Sequence, residues 1–230
     1  MPPRFDNYLQ TTYFLDFENP VVSDFAEAHC DTSAEPRTKA VQLYYAVRDK
    51  ITYDPYDLQP DRSTLRASSV ICKGVGYCVA KAVLLAALAR QQGIPARLGF
   101  ADVTNHLSTT KLRRVMESDV FVYHGYTELY LQEKWVKATP AFNLSLCTRF
   151  NVRPLEFDGV NDSLFHEFDL HGQKHMEYMA DHGHFEDLPF NRMFKAYEQQ
   201  YPGMFERFRN LKETDFSREA EEENTPLGDS

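Results

Sequence analysis

The chain has 230 residues, of which 43% are hydrophobic, and its formal net charge at pH 7 is −9. This hydrophobic share suffices for a packed core and excludes a chain that is disordered throughout. No basic stripe is present that could neutralise phosphates, so we expect no nucleic-acid partner.

The sequence lacks the usual signals of a membrane or secreted protein. No apolar run reaches the ~20 residues of a membrane-spanning helix, and the opening residues, MPPRFDNYLQ, have no apolar centre like that of a signal peptide. The four cysteines, Cys30, Cys72, Cys78 and Cys147, do not make a disulfide framework in a chain of this length. We expect a cytoplasmic protein with no membrane partner and with free thiols, at least one of them reactive.

The first third of the chain predicts two helices and a turn. Residues 1–20 are rich in aromatic side chains and predict a strand or an arm packed on the body. Apolar side chains recur at helical spacing in residues 20–30 and again in residues 36–51, where Pro36 lies near the start. The prolines and aspartates of residues 53–62, YDPYDLQPDR, are typical of a turn.

The segment from residue 72 to residue 95, CKGVGYCVAKAVLLAALARQQGIP, predicts a helix in the interior of the fold. Residues 78–92 are apolar nearly all round, which is typical of a helix buried on every side. Gly93 is a natural residue to follow this helix, and Pro95 prevents it from continuing. Cys78 therefore stands at the N-terminus of a buried helix.

Three strands are expected after this helix, joined as an antiparallel meander. They cover residues 96–103, 119–131 and 135–142, and the polar residues 104–118 connect the first two. In the second strand, alternation places five side chains on one face, namely Val120, Val122, His124, Tyr126 and Glu128.

The C-terminal third predicts loops, a broken helix and a tail. Residues 151–190 are loop-like, and residues 191–211 are helical apart from an interruption at Pro202-Gly203. Residues 212–230 hold seven acidic side chains against two basic ones, so we expect a disordered acidic tail there.

Five of the eight histidines fall in the loop-like region, namely His166, His171, His175, His182 and His184. His171 and His175 would share one face of a helix, which raises the hypothesis of a metal-dependent hydrolase. No cysteine joins them and the region has no clear helical pattern. We therefore expect solvated loop histidines and no metal site.

Cys78 and His124 have the residue types that nucleophilic catalysis needs. The unpaired N–H groups and the positive dipole at a helix N-terminus stabilise a thiolate, which predicts a lowered pKa for Cys78. The same N–H groups can hold an oxyanion. A nucleophile also needs a base, and His124 lies in a strand where the pattern would place an apolar residue. Cys72, in a loop bounded by glycine, is a rival nucleophile.

Two runs of residues resemble motifs of the transglutaminase-like superfamily. The run GYC at residues 76–78, with the VAKAVLLAALARQQGIPAR that follows it, resembles the cysteine motif, and HGYTELY at 124–130 with Trp135-Val136 resembles the histidine motif. The resemblance points to a bacterial branch of cysteine peptidases rather than to the animal cross-linking enzymes. It implies a papain-like α+β fold, in which a central buried helix carrying Cys78 packs on an antiparallel sheet carrying His124.

The same resemblance implies how the chain is organised. It covers about residues 36–145, which would form the core of a single domain over residues 1–211. Residues 146–211 would then be a C-terminal extension that closes over or beside this core.

The residue that should orient the imidazole departs from the pattern of the superfamily. In that pattern an aspartate follows the tryptophan motif and precedes a proline, whereas here Thr139 stands before Pro140. A threonine hydroxyl can accept the imidazole N–H but stabilises an imidazolium less than a carboxylate does. Asn143 or Glu128 could take the role instead, although Glu128 could equally lie in an ion pair. Five residues are candidates for substrate or oxyanion contacts: Tyr77, Tyr126, Glu128, Trp135 and Asn143.

The resemblance implies acyl transfer through a Cys–His thioester, without a cofactor. Hydrolysis of an amide or peptide bond in a peptide, a protein or a small amide is favoured over transamidation. A second hypothesis stays open because the aspartate is missing: a binding module that keeps the fold and the pocket without catalysis.

Overall fold

The described part of the chain alternates helices and strands along its length; the computed structural model describes residues 5–105, 108–164, 176–211 and 214–224. Its helices are α1 (Pro20–His29), α2 (Pro36–Lys50), α3 (Ala67–Lys73), α4 (Cys78–Gln91), α5 (Thr110–Met116), α6 (Leu144–Arg149), α7 (Phe190–Gln200), α8 (Met204–Arg209) and α9 (Phe216–Asn224). Its strands are β1 (Thr52–Tyr53), β2 (Val75–Gly76), β3 (Ala96–Asn105), β4 (Val120–Leu131), β5 (Lys134–Ala138) and β6 (Met176–Phe185).

Helix α4 lies in the interior of the fold, as predicted. Every side chain from Cys78 to Arg90 is buried, because the sequence is apolar around nearly the whole circumference. Lys81 lies within this interior, and its Nζ donates to the carbonyls of Arg48 (2.9 Å) and Ile51 (2.6 Å). These two bonds satisfy the buried amine and hold the end of α2 against α4.

The sheet confirms the expected α+β class and the antiparallel meander. Its strand order is β5-β4-β3-β6, and all neighbouring strands are antiparallel. Helix α4 packs against β3 and β4, and Thr127 Oγ1 donates to the carbonyl of Ala82 across this contact at 2.9 Å. β5 ends at Ala138 rather than at residue 142, because the chain leaves the sheet before Pro140, which has no N–H to donate.

The prediction that residues 151–190 are loop-like is wrong for β6. This strand pairs with β3 at the edge of the sheet, and most of its side chains are exposed. An exposed edge strand has no buried face to impose alternation of apolar and polar residues, so its sequence carries little strand signal.

A bulge interrupts β4 just before His124. The strand register shifts between Ala101 and Val103, and Tyr123 has a left-handed backbone with φ of 55°. Ala101 therefore pairs with His124, while Val103 pairs with Phe121. The prediction that Val120 and Val122 share the face of His124 is wrong for this reason, because Phe121 continues that face instead.

The C-terminal helices cover the N-terminus of α4. The predicted break near Pro202 is confirmed, and it separates α7 from α8. The prediction of a disordered tail is wrong for α9, because Phe216 and Ala220 share one face of the helix and are buried. The ring of Phe216 packs 5.8 Å from that of Tyr53, centroid to centroid. None of the helices in the described ranges is both long and apolar enough to cross a membrane.

Candidate active site

The thiol of Cys78 lies at the first residue of α4 and is almost enclosed, with 9% of the residue exposed. Burial raises its pKa to about 11, although the backbone N–H groups of Gly125, Val79 and Cys78 itself act in the opposite direction. The predicted lowering of the Cys78 pKa is therefore wrong. The helix N-terminus does supply donors, but the cost of burying a thiolate outweighs them.

Gly125 allows β4 to approach the first turn of α4 closely. A Cβ atom at this position would lie 3.0 Å from Cα of Val79 and 3.1 Å from its Cγ2. Only a glycine fits this spacing without displacement of one element. The close approach brings His124, the preceding residue, to the wall of the same cavity as Cys78.

This cavity, which we call the chamber, is a small apolar space of about 40 Å³ over Cys78 and His124. No carboxylate, guanidinium or ammonium group of the described residues lines it. Four tyrosines surround it, and burial raises the pKa of each phenol, so all four are neutral at pH 7: Tyr53, Tyr77, Tyr197 and Tyr201. Apolar side chains complete the wall, among them Leu58, Met116, Val122, Met204 and Phe208.

Side chains from three other elements hold the bulge that precedes His124. Asp102 Oδ1 accepts the N–H of Tyr123 at 2.9 Å and lies 2.6 Å from His182 Nε2, while the His182 ring stacks on that of Tyr123 at 4.0 Å. Tyr201 directly follows α7. Its hydroxyl accepts the N–H of Val122 at 2.8 Å and donates to the carbonyl of Val120 at 2.7 Å.

Sequence reasoning missed Asp102, His182 and Tyr201. His182 in particular is no solvated loop histidine, because it lies in β6 and pairs with Asp102. A lone carboxylate within the apolar run ARLGFADV was the available signal for Asp102. The other two belong to distant segments that carry no motif.

Thr139 lies beside His124 on a second, smaller cavity of about 10 Å³, and the residue is 2% exposed. Its backbone N–H donates to the carbonyl of Ser163 at 2.8 Å. Within the described ranges its Oγ1 makes no hydrogen bond. Thr139 is thus near the imidazole, and its role as the orienting residue stays a prediction.

Asn143 and Glu128, the two alternatives to Thr139 for orienting the imidazole, interact with other residues. Asn143 Oδ1 accepts the N–H of Tyr53 at 3.0 Å, and its Nδ2 donates to Ser145 Oγ at 2.6 Å. Glu128 forms an ion pair with Arg97. Neither side chain lines the two cavities that contain His124.

Of the five candidate contact residues, Tyr77 alone lines the chamber. Tyr126 packs with Ala101 and Val103 in a small apolar cluster apart from the main core. Trp135 pairs with Tyr130, about 20 Å along β4 from His124. There it packs on aromatic rings of residues 5–8 and on the Arg97 guanidinium, which confirms the predicted N-terminal arm packed on the body. At this position Trp135 does not contact the chamber.

The remaining candidates lie away from the site. All four cysteines are free; Cys72 is exposed, and Cys30 and Cys147 are buried. His166, His171 and His175 lie outside the described residues. Within the described ranges, no group of three or more histidine, cysteine, aspartate or glutamate side chains could hold a metal ion.

Comparison with known proteins identifies the family. Residues 23–140 match the model of the transglutaminase-like superfamily, and the chain belongs to it. A proposed cysteine protease from Cytophaga hutchinsonii has a similar solved structure, with 16% identity over 61% of this chain and 43% of that protein, and a TM-score of 0.47. The chain thus spans less than half of that protein. No curated protein matches the chain.

Proposed function

We propose that this protein is an acyl-transfer enzyme in which Cys78 is the nucleophile and His124 the base, and that it hydrolyses an amide or peptide bond. The observation that supports this is the placement of both side chains on one chamber at the N-terminus of α4. A nucleophile with a base in reach and with backbone donors beside it is the arrangement that acyl transfer needs.

The first half-reaction forms a thioester. His124 takes the proton of the Cys78 thiol as the sulfur attacks the substrate carbonyl, and the carbonyl π electrons move to oxygen. Backbone N–H groups at the start of α4 and at Gly125 are the candidate donors for that oxyanion. The intermediate collapses, the C–N bond breaks, and His124 returns its proton to the leaving amine.

The second half-reaction releases the acid. His124 removes a proton from water, and the resulting hydroxide adds to the thioester carbonyl. The C–S bond then breaks, the carboxylic acid leaves, and the sulfur recovers the proton from His124. An amine in place of water would give a new amide, so the same residues would support transamidation.

The raised pKa of Cys78 determines how the pair works. At neutral pH burial keeps the sulfur protonated, so the resting site holds a thiol rather than a thiolate. His124 then acts as a general base during attack. A neutral Thr139 in place of an aspartate fits this mode, because no long-lived imidazolium needs a carboxylate partner.

A binding module without catalysis is the second candidate. Two observations favour it: the raised pKa of Cys78, and the Thr139 hydroxyl, which makes no hydrogen bond within the described ranges. A module that only binds has no need for an acylated thiol, and this difference can be measured.

The test is the formation of an acyl-enzyme. The protein is mixed with p-nitrophenyl acetate or an activated amide and quenched in acid, and the acylated residue is located by peptide mass spectrometry. We expect acyl transfer to Cys78, loss of that adduct in Cys78→Ser, and much slower formation in His124→Gln. Cys72→Ser is the matched control and leaves the rate unchanged. Acylation of Cys78 at the rate of the exposed Cys72 would favour the binding module.

A further inference from the structure

The chamber has a composition that selects its occupant. Its wall contains phenols, apolar side chains, the thiol and the imidazole, and within the described residues it contains no carboxylate or basic side chain apart from His124. The phenols remain neutral at physiological pH because burial raises their pKa values. A charged group that entered would lose its water and find no partner of opposite charge, which is strongly unfavourable.

The flanking loop strengthens this discrimination against anions. Asp54 and Asp57 lie on either side of Pro55, which lines the chamber, and burial raises the pKa of both carboxyl groups. Asp57 is paired with Lys73. Asp54 lies close enough to Asp57, Asp215 and Glu219 for like charges to raise its pKa further, so the surroundings of the chamber are acidic.

The chamber is also small. Its volume of about 40 Å³ holds roughly three water molecules. Tyr197 and Tyr201 near the end of α7 and Met204 and Phe208 of α8 contribute to its wall, so a group too large for this volume would meet these side chains.

We propose that the chamber is the acyl-binding site and that it takes an uncharged, apolar acyl group of roughly two to four carbon atoms. This inference rests on the proposed acyl transfer at Cys78 and names the substrate class: amides or esters of short, uncharged acids. Charged acyl groups are excluded by desolvation, and long ones by the small volume of the chamber.

The first test uses two alkylating reagents of nearly equal size, neutral iodoacetamide and anionic iodoacetate. Each rate at Cys78 is divided by the rate at Cys72, the exposed thiol of the same molecule. We expect the ratio of the iodoacetamide rate to the iodoacetate rate to be at least about tenfold higher at Cys78 than at Cys72. The preference should persist in about 0.5 M NaCl, which screens the acidic surroundings but not the chamber.

A variant at the rim tests whether charge is the cause. Leu58 lines the chamber and is half-buried, so it tolerates a polar side chain. We expect Leu58→Lys to reduce the preference for iodoacetamide several-fold, whereas the uncharged control Leu58→Gln keeps it. An equal response to both variants, or no preference in the unaltered protein, would overturn the inference.

The second test uses p-nitrophenyl esters that differ in the acyl group. We expect kcat/KM for the butyrate ester to exceed that for the glutarate monoester at least about tenfold, and to fall for the decanoate ester. Equal turnover of butyrate and glutarate esters would refute the chamber inference and leave acyl transfer standing. If Cys78 clearly prefers iodoacetamide but no ester gives an acyl-enzyme, the proposed function is refuted, while the selectivity of the chamber for uncharged groups is retained.

Discussion

The backbone N–H of Gly125 lowers the pKa of the Cys78 thiol, and Gly125 follows His124 directly in β4. One peptide unit thus links the nucleophile to the base. The contact exists because a glycine permits the strand to approach Val79 at the start of α4. The geometry of the site therefore depends on the absence of a single Cβ atom.

Gly125→Ala should separate β4 from α4. The added Cβ would meet Val79 Cα at 3.0 Å and Cγ2 at 3.1 Å, and we expect a loss of about 1–3 kcal/mol in the free energy of unfolding. Acylation of Cys78 should fall by a larger factor than stability alone explains, because the strand carries His124 with it. Urea unfolding and single-turnover acylation measure the two effects.

A second substitution tests this cause. Val79→Ala removes Cγ2, so in a double variant it should partly rescue Gly125→Ala, and the two effects should be non-additive by about 0.5 kcal/mol or more. Strictly additive effects would show that the clash with Val79 does not determine the position of β4.

Asp102 should act as a positioning residue for His124. Its carboxylate accepts the N–H of Tyr123, whose left-handed backbone is otherwise unfavourable for a residue other than glycine. We expect Asp102→Ala to lower kcat for ester hydrolysis with little change in KM, and Asp102→Asn, which keeps an acceptor, to restore much of the activity. His182→Phe is the control, because it preserves the stacking on Tyr123 and removes only the hydrogen bond to Asp102. If KM rose and kcat were unchanged, the bulge would not position the base.

Lys81 should make stability depend on pH. Burial lowers its pKa to about 7, whereas the unfolded chain has an ordinary lysine with a pKa of about 10.4. Between these values the unfolded state binds the extra proton, so Lys81 contributes a rise in stability with pH of up to about 1.4 kcal/mol per pH unit. Below about pH 7 Lys81 is charged in both states, and the full free-energy cost of burying its charge is then subtracted from the stability of the fold.

Urea unfolding of the wild type and of Lys81→Met across this range isolates the contribution. The difference in unfolding free energy between the two proteins should shift in favour of the wild type as pH rises. A difference that stays constant with pH would mean that Lys81 is charged in the folded state throughout.

The C-terminal helix α9 should be held mainly by Phe216. Its ring packs against Tyr53 and Phe150, and the neighbouring Glu219 accepts hydrogen bonds from Tyr56 and Thr109. We expect Phe216→Ala to cost about 3 kcal/mol locally and to speed hydrogen exchange in α9. Glu222→Gln, at an exposed position of the same helix, should leave exchange unchanged. Equal exchange in all three proteins would contradict the packing described for Phe216.

Some of the fold is readable from the sequence because one local property determines it. Helix α4 is apolar all round, and only a buried helix accommodates that pattern. β6 could not be predicted, because its exposed side chains carry no alternation, and neither could the bulge at Tyr123, because its partners Asp102 and Tyr201 come from distant elements.

The candidate site shows the same limit. Cys78 and His124 are candidates from their motifs alone, since a helix N-terminus and a polar residue in an apolar strand are local features, and the structure places both on one cavity. The direction of the Cys78 pKa shift could not be predicted from the sequence, because it depends on burial by Tyr197 and Tyr201, which lie more than 100 residues away along the chain. A motif indicates which cysteine is the candidate nucleophile, but the tertiary structure determines the protonation state of its thiol.

The most direct test of the account is the pH dependence of Cys78 acylation by p-nitrophenyl acetate, in the wild type and in His124→Gln. With the pKa of Cys78 at about 11, a reaction through free thiolate would keep accelerating into strongly alkaline solution. General-base catalysis by His124 predicts that at neutral pH the wild type reacts much faster than the small thiolate fraction alone allows. His124→Gln should be slower there by about 10²–10⁴-fold and should accelerate towards pH 11. Superimposable pH profiles for the two proteins would contradict the Cys78–His124 pair.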